Sequence, residues 1–181
     1  FNTSGDTEVL LKAYEQWGEE CVSKLRGMFS FCIWDEHKKS FFAFRDRFGI
    51  KPLYYYKYKS TYIFASEIKD IKLLINTVQE NKSTVYKYLS KGFIDDTSET
   101  FYNEISNLNA SHYIRVSRIG KEINRYWELD LSCNNSFDEE EFSNLFNETI
   151  KIHLRSDVPL AFALSGGLDS NAIASFSALQ L

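Results

Sequence analysis

Two adjacent glycines, Gly166 and Gly167, directly follow Leu164, the last residue of the apolar run that starts at Leu160, by way of Ser165. Beyond them Ala172, Ile173, Ala174, Phe176 and Ala178 recur as a small-residue helix should. The run Leu160–Leu164 is too short for a helix and has no polar alternation, so it reads as a strand buried on both faces. Strand, glycine turn and helix in that order make an anion site. A helix start leaves backbone N–H groups unpartnered and positively polarised, and glycines let an oxyanion reach the main chain. Ser165 and Ser170 add hydroxyl donors, and Asp169 is placed to cap the helix or to hold a metal ion. No Gly-Lys-Ser/Thr follows, which excludes a Walker A loop, and the spacing is not Gly-x-Gly-x-x-Gly. The plain alternative is an ordinary glycine turn in an α/β domain.

The rest of the chain has material for a sizeable core. Its 181 residues are 44% hydrophobic and include 15 Phe and 11 Tyr, which excludes a disordered chain. A net charge of -4 and the lack of a basic stripe interleaved with aromatics argue against nucleic acid as a partner. No apolar run is long enough to cross a membrane. Cys21, Cys32 and Cys133 form no Cys-x-x-Cys pair, which suits buried thiols in a reducing compartment, with the cytoplasm as the default location. Phe1-Asn2-Thr3 shows neither an initiator Met nor a signal sequence, and the chain stops soon after the glycine turn, so the expectation is a piece of something longer.

Taken in order, Val9, Leu10, Ala13, Tyr14 and Trp17 form a helical stripe, with Thr7 or Asp6 as its N-cap and Gly18 as its stop. A short helix should carry Cys21, Val22 and Leu25 inward and end at Gly27. Met28 to Trp34 and Ser40 to Phe44 read as one hairpin, and Leu53 to Tyr56 with Tyr62 to Ala65 as a second. Helices follow through Ile68, Ile71 and Leu74 and through Val85, Tyr86 and Leu89. His112 to Val116 and Ile123 to Trp127 make a last hairpin around Gly120. The polar stretch from Leu129 to Asn135 suits a linker. Ser136 and Glu139 then read as a capping box for a helix that runs through Phe142, Phe146 and Ile150. Arg45, Asp46 and Arg47, at a strand end, suit a salt-bridge network, as does Lys51, and His112 and His153 show no metal-ligand spacing and should pack or bond within the core and at the domain contact.

Four strings carry a family resemblance. They are Gly5-Asp6-Thr7-Glu8-Val9-Leu10-Leu11, Leu25-Arg26-Gly27-Met28-Phe29-Ser30-Phe31, Arg45-Asp46-Arg47-Phe48-Gly49-Ile50-Lys51-Pro52-Leu53-Tyr54-Tyr55 and Phe64-Ala65-Ser66-Glu67-Ile68-Lys69. In this order they resemble the later part of a class II glutamine amidotransferase domain. Ser165-Gly166-Gly167-Leu168-Asp169-Ser170 resembles the pyrophosphate loop of ATP pyrophosphatases, and the whole is similar to the glutamine-hydrolysing asparagine synthetases. The resemblance implies an α+β N-terminal-nucleophile sandwich of antiparallel sheets, present in part over 1–130. A linker at 131–136 and the start of an α/β nucleotide-binding domain over 137–181 would follow.

The activity implied by the resemblance is a two-site one. A cysteine thiolate releases ammonia from glutamine, and ATP with Mg²⁺ activates the aspartate side chain, which ammonia converts to asparagine with release of AMP and pyrophosphate. In the family an aspartate matching Asp6 holds the glutamine amino group, while on the residues alone Asp6 is a helix cap. The loop residues Ser165, Gly166, Gly167, Asp169 and Ser170 match the ATP grip, Leu164 reaches the adenine side, and Asp169 is the candidate metal contact through Mg-ATP. The catalytic cysteine lies outside this chain on the same reading, so no residue here is assigned a catalytic role. Glutamine, aspartate and ATP are the implied partners, and a homodimer stays open. Two alternatives remain, a related amidotransferase acting on another carboxylate and a non-catalytic amidotransferase-like module. One departure from the family is Asn109-Ala110-Ser111-His112, where relatives carry a proline-glycine turn.

Overall fold

The computed structural model describes residues 2–3, 5–75, 77–93, 97–132 and 136–180, in two compact units, Phe1–Leu129 and Asp130–Leu181. Cys133 and part of the expected linker fall outside the described residues.

The first unit starts with helix α1 (Asp6–Trp17), a single turn of 3-10 helix (Gly18–Glu20) and the short α2 (Cys21–Lys24). Strands β1 (Ser30–Asp35), β2 (Ser40–Arg45), β6 (His112–Ser117) and β7 (Gly120–Arg125) form one antiparallel sheet in the order β1-β2-β6-β7. Strands β3 (Tyr54–Tyr58), β4 (Thr61–Ala65) and β5 (Ile105–Asn107) form a second, in the order β4-β3-β5. Helices α3 (Ile68–Leu74) and α4 (Lys82–Lys91) lie between β4 and β5 in sequence, and Gly92 ends α4 in the left-handed conformation.

Strand β2 shows why these layers form. Side chains alternate across a strand, and here both faces are apolar. Phe42 and Phe44 point to one side, into a cluster with Val22 of α2 and Ile33 of β1, against which Tyr14 of α1 packs. Phe41 and Ala43 point to the other, where Leu53, Tyr55, Leu108 and Ile114 join the two sheets and Phe41 meets Phe64 at 4.9 Å. Helices therefore cover one face of the four-stranded sheet and the three-stranded sheet packs on the other. Fully burying one such phenylalanine stabilises the fold by roughly 1.5–3 kcal/mol.

Several expectations are corrected. The N-cap of α1 is Gly5, with no side-chain cap, and Asp6 is the first helical residue. The last hairpin turns at Arg118-Ile119, and Gly120, at φ 145°, is already the first residue of the return strand. Cys21 is buried but Cys32 is exposed. His153 is exposed and bonds its own helix, Nδ1 to the Thr149 carbonyl at 2.9 Å, whereas half-buried His112 bonds Ala110 O at 2.7 Å.

Where the resemblance implies a glycine, Ser111 takes the left-handed conformation at φ 58°. Its N–H donates to Asp46 O and its carbonyl accepts from the Tyr126 N–H, both at 2.9 Å, so the turn is fixed from both sides. A left-handed non-glycine residue costs about 1–2 kcal/mol. Ser111→Gly should thus raise stability by about 1 kcal/mol, read as a higher urea midpoint at unchanged slope; an unchanged or lower midpoint would show that the conformation carries no strain.

The second unit holds α5 (Glu139–His153) and α6 (Leu168–Ala178), packed through an edge-on contact of Phe146 and Phe176 at 5.0 Å. The cap of α5 is Asp138, whose carboxylate accepts from the Glu141 N–H, rather than Ser136. The expected strand Leu160–Leu164 is not formed. Leu160, Phe162 and Leu164 are exposed, and among the described residues this unit offers no strand for them to pair with. A strand buried on both faces requires such neighbours.

Candidate functional site

In the second unit the glycine turn leads into α6 as the sequence suggests. Gly166 sits at φ 79°, Gly167 is the N-cap, and no side chain caps the helix. The first backbone bond of the helix runs from the Asn171 N–H to the Gly167 carbonyl at 3.2 Å. The N–H groups of Leu168, Asp169 and Ser170 therefore precede the hydrogen-bonded ladder and point out of the helix end. Ser165 Oγ and Ser170 Oγ lie 3.1 Å apart, and the Ser170 hydroxyl also donates to Gly167 O at 3.1 Å. A Cβ on Gly166 would meet nothing within 4 Å, so an oxyanion has open access to the main chain there. Asp169, in the first turn, makes no hydrogen bond or ion pair among the described residues and does not cap α6. The donor set thus fits a polyphosphate, and the free carboxylate fits a divalent cation beside it. Leu164 precedes this turn and is exposed.

In the first unit Asp6 is exposed at the start of α1, where positive helix polarity meets its carboxylate. Two residues on, Glu8 ties down the segment before the helix. It accepts from the N–H groups of Asn2 at 2.8 Å and Thr3 at 2.6 Å, and from the Thr3 hydroxyl at 2.7 Å. The Asn2 N–H first and then Thr3 hold its carboxyl below the usual range.

The string Arg45 to Lys51 is not the ion-pair network expected. Arg45 and Asp46 are both buried and bond to the main chain instead. Asp46 Oδ1 accepts from the N–H groups of Phe48 and Ile50 at 3.1 and 3.0 Å, and Oδ2 from those of Phe29 and Lys51 at 3.2 and 2.9 Å. Arg45 donates to the carbonyls of Lys51, Gly49 and Leu108 and to Asn107 Oδ1. Gly49 is required twice over: its φ is 65°, and a Cβ would stand 3.1 Å from both Arg45 Cζ and Ala110 Cβ. Arg47 reaches the Ser23 carbonyl and lies over the Trp127 ring.

Burial pushes the Cys21 thiol up to about 11, so it stays protonated at neutral pH and is no nucleophile. Among the described residues no group of His, Cys, Asp and Glu could hold a metal ion by itself, and no helix is long and apolar enough to cross a membrane. Two clefts of the first unit, about 620 and 710 Å³, lie at the hairpin-turn end and include neither Asp6 nor the string Arg45 to Lys51.

The glutamine amidotransferase domain family matches residues 1–127 and the asparagine synthase family residues 141–181. Asparagine synthetase [glutamine-hydrolyzing] 3 of Bacillus subtilis is 36% identical over 98% of this chain and 30% of its own length. Putative asparagine synthetase [glutamine-hydrolyzing] 2 of Methanocaldococcus jannaschii is 39% identical over 94% of this chain and 35% of its own. Amidase chry2 of Gibberella zeae is 32% identical over 96% of this chain and 26% of its own. The chain thus spans about a third, or less, of the length of the curated relatives it matches.

Proposed function

The chain belongs to the glutamine amidotransferase domain family, and from that premise we propose that the protein amidates the aspartate side chain. Glutamine supplies the nitrogen, ATP with Mg²⁺ drives the reaction, and AMP and pyrophosphate leave. Residues 1–130 serve the amidotransferase, as part of an N-terminal-nucleophile sandwich. Residues 131–136 are the link, and 137–181 open the nucleotide-binding domain. The observation that carries this reading is the uncapped start of α6, where one turn holds three N–H groups outside the helix ladder, two hydroxyls 3.1 Å apart and the non-capping carboxylate of Asp169, in a chain whose other segment belongs to an amidotransferase family.

In this reading the N–H groups of Leu168, Asp169 and Ser170 hold phosphate oxygens, the hydroxyls of Ser165 and Ser170 fix their orientation, Asp169 holds the cation, and Leu164 borders the adenine. Bound ATP supplies the leaving group that makes a carboxylate replaceable by nitrogen. Asp6 holds the amino group of glutamine by charge and hydrogen bond, an assignment favoured by its lack of any cap bond. The working location is the cytoplasm, and a homodimer is the simplest assembly.

Full-length protein given glutamine, aspartate and Mg-ATP should yield asparagine, AMP and pyrophosphate in equal amounts; formation of ADP, or no aspartate-dependent turnover, would sink the reading. Asp6→Ala should raise the glutamine KM roughly 10- to 100-fold, the worth of one charge-assisted hydrogen bond, while ammonia-dependent synthesis stays intact. Loss of both would make Asp6 architectural. A second reading takes another carboxylate as acceptor, and it stays open because the similarity extends to a relative named an amidase and not an asparagine synthetase. It predicts ATP-dependent glutamine consumption in the presence of a different acid and none with aspartate. A non-catalytic module would show neither.

A further inference from the structure

We propose that the hairpin-turn end of the first unit is a binding site for a small phosphorylated ring compound of the mononucleotide class, separate from the glycine turn of α6. Residues of both sheets line a cleft of about 710 Å³ here, within the usual size of small-molecule sites. Its floor is laid by register: Trp34 stands opposite Phe41, and Phe41 opposite Val116, so the three side chains lie side by side on one face of the larger sheet. Tyr62 of the smaller sheet closes the far wall. Trp34 is 56% exposed, and its indole N–H is fixed on Glu36 Oε2 at 2.6 Å, so a broad ring face is held open to solvent. Such a surface suits a flat ring.

The rim is cationic. Lys39, Lys59 and Arg118 arrive from three different turns and Lys57 from the end of β3, against a single carboxylate, Glu36, although the chain as a whole carries -4. Lys39 is paired with Glu36. Lys57, Lys59 and Arg118 have no ion pair among the described residues, and Lys57 and Lys59 rest over the rings of Tyr62 and Tyr58. Arg115 and Lys38, both over the Phe42 ring, stand on the other face of the larger sheet, with Glu122 and Glu19 as their ion-pair partners, so the cations left to meet a phosphate in the cleft are Lys57, Lys59 and Arg118. Asp6 is not in its wall: α1 rises about 12 Å from Asp6 to Tyr14, and Tyr14 is the residue that bonds Asp35 at the end of β1. Ligand here would therefore act on the amidotransferase segment from a distance or be carried by it.

The test is a titration of the 181-residue chain with AMP, without metal, followed by tryptophan fluorescence and calorimetry. Saturable quenching is expected, with adenosine binding at least about tenfold more weakly for want of the phosphate, and with inorganic phosphate competing but not quenching. Arg118→Glu, at an exposed turn position, and Lys57→Glu, at an exposed position of β3, should each weaken AMP about tenfold or more, and Trp34→Phe should remove most of the quench. Ser170→Ala, in the glycine turn of α6, should leave the Trp34-dependent quench and its midpoint unchanged, whatever it does to nucleotide held at α6, which separates the proposal from the reading above. No saturable quench up to about 10 mM AMP, an equal quench midpoint in the charge-reversal variants, or a quench lost in Ser170→Ala would overturn it. Tighter binding of an oligonucleotide than of AMP would overturn the small-molecule assignment.

Discussion

Asp46→Ala is expected to lower the unfolding free energy of the first unit by about 3–5 kcal/mol, the range for losing one buried charge from its partners. The carboxylate is 1% exposed and takes four backbone N–H groups, two on each oxygen. Between Asp46 and Lys51 the chain forms neither helix nor strand, so those groups have no ladder to enter, and every buried one must find a partner elsewhere. Arg45 does the complementary work for the carbonyls of Gly49 and Lys51. One anion thus collects the donors of the loop and one cation its acceptors. Truncating Asp46 orphans the donors, at about 1–3 kcal/mol for each that water cannot reach. Since a domain holds only about 5–15 kcal/mol in total, the variant should sit close to its unfolding midpoint in buffer. Asp46→Asn is the milder companion, keeping one acceptor oxygen while turning an amide donor against two N–H groups. Urea denaturation of both checks the claim. A loss below about 0.5 kcal/mol for the alanine variant would mean that water replaces the carboxylate and that the loop does not depend on it.

The pairing of Arg45 with Asp46 also shows where sequence reading stopped. Two charged residues in succession look like an ion pair, yet neighbours at a strand end point to opposite sides. Arg45 closes β2, so Asp46 faces away from it and the pair divides between two sets of main-chain groups. The period of two was visible in Phe41 to Phe44, and extending it by two residues would have found this. The hairpins were legible because aromatic runs and polar turns mark them locally. Strand β5 was not, since Ile105–Asn107 is three residues long and exists through its pairing with β3. Gly120 drew the eye as a turn centre, whereas the two-residue turn needed only Arg118 and Ile119. For α5, Ser136 and Asp138 competed for one cap, and the acidic residue nearer the helix won. The run Leu160–Leu164 has the composition of a strand but lacks neighbours, and composition alone does not supply a partner. The site residues fared differently. Six consecutive positions from Ser165 to Ser170 could be picked out because a glycine turn before a helix has one local geometry, while the converging cations around Trp34 come from segments far apart in sequence and became visible only in three dimensions.

Asp169→Ala should reduce ATP-dependent synthesis by the full-length protein about a hundredfold or more and leave glutamine hydrolysis within about twofold, with a change of sign that separates a metal contact from a structural one. At the start of α6 the N–H groups and hydroxyls attract phosphate, and the carboxylate repels it. A like charge at that point is a liability unless a divalent cation stands between the two anions. Nucleotide affinity measured with Mg²⁺ should therefore fall in the alanine variant, because the bridging carboxylate is gone. Measured in a chelator, it should stay equal or rise, because a repulsion is gone. A side chain that merely stabilised the helix would give neither split. Among the described residues Asp169 makes no cap bond, which removes the usual structural reason for the variant to misfold. Calorimetry under the two conditions decides it: the same fractional loss of affinity with and without Mg²⁺, or parallel loss of both activities, would take the cation away from Asp169 and leave the turn to its amides and hydroxyls alone.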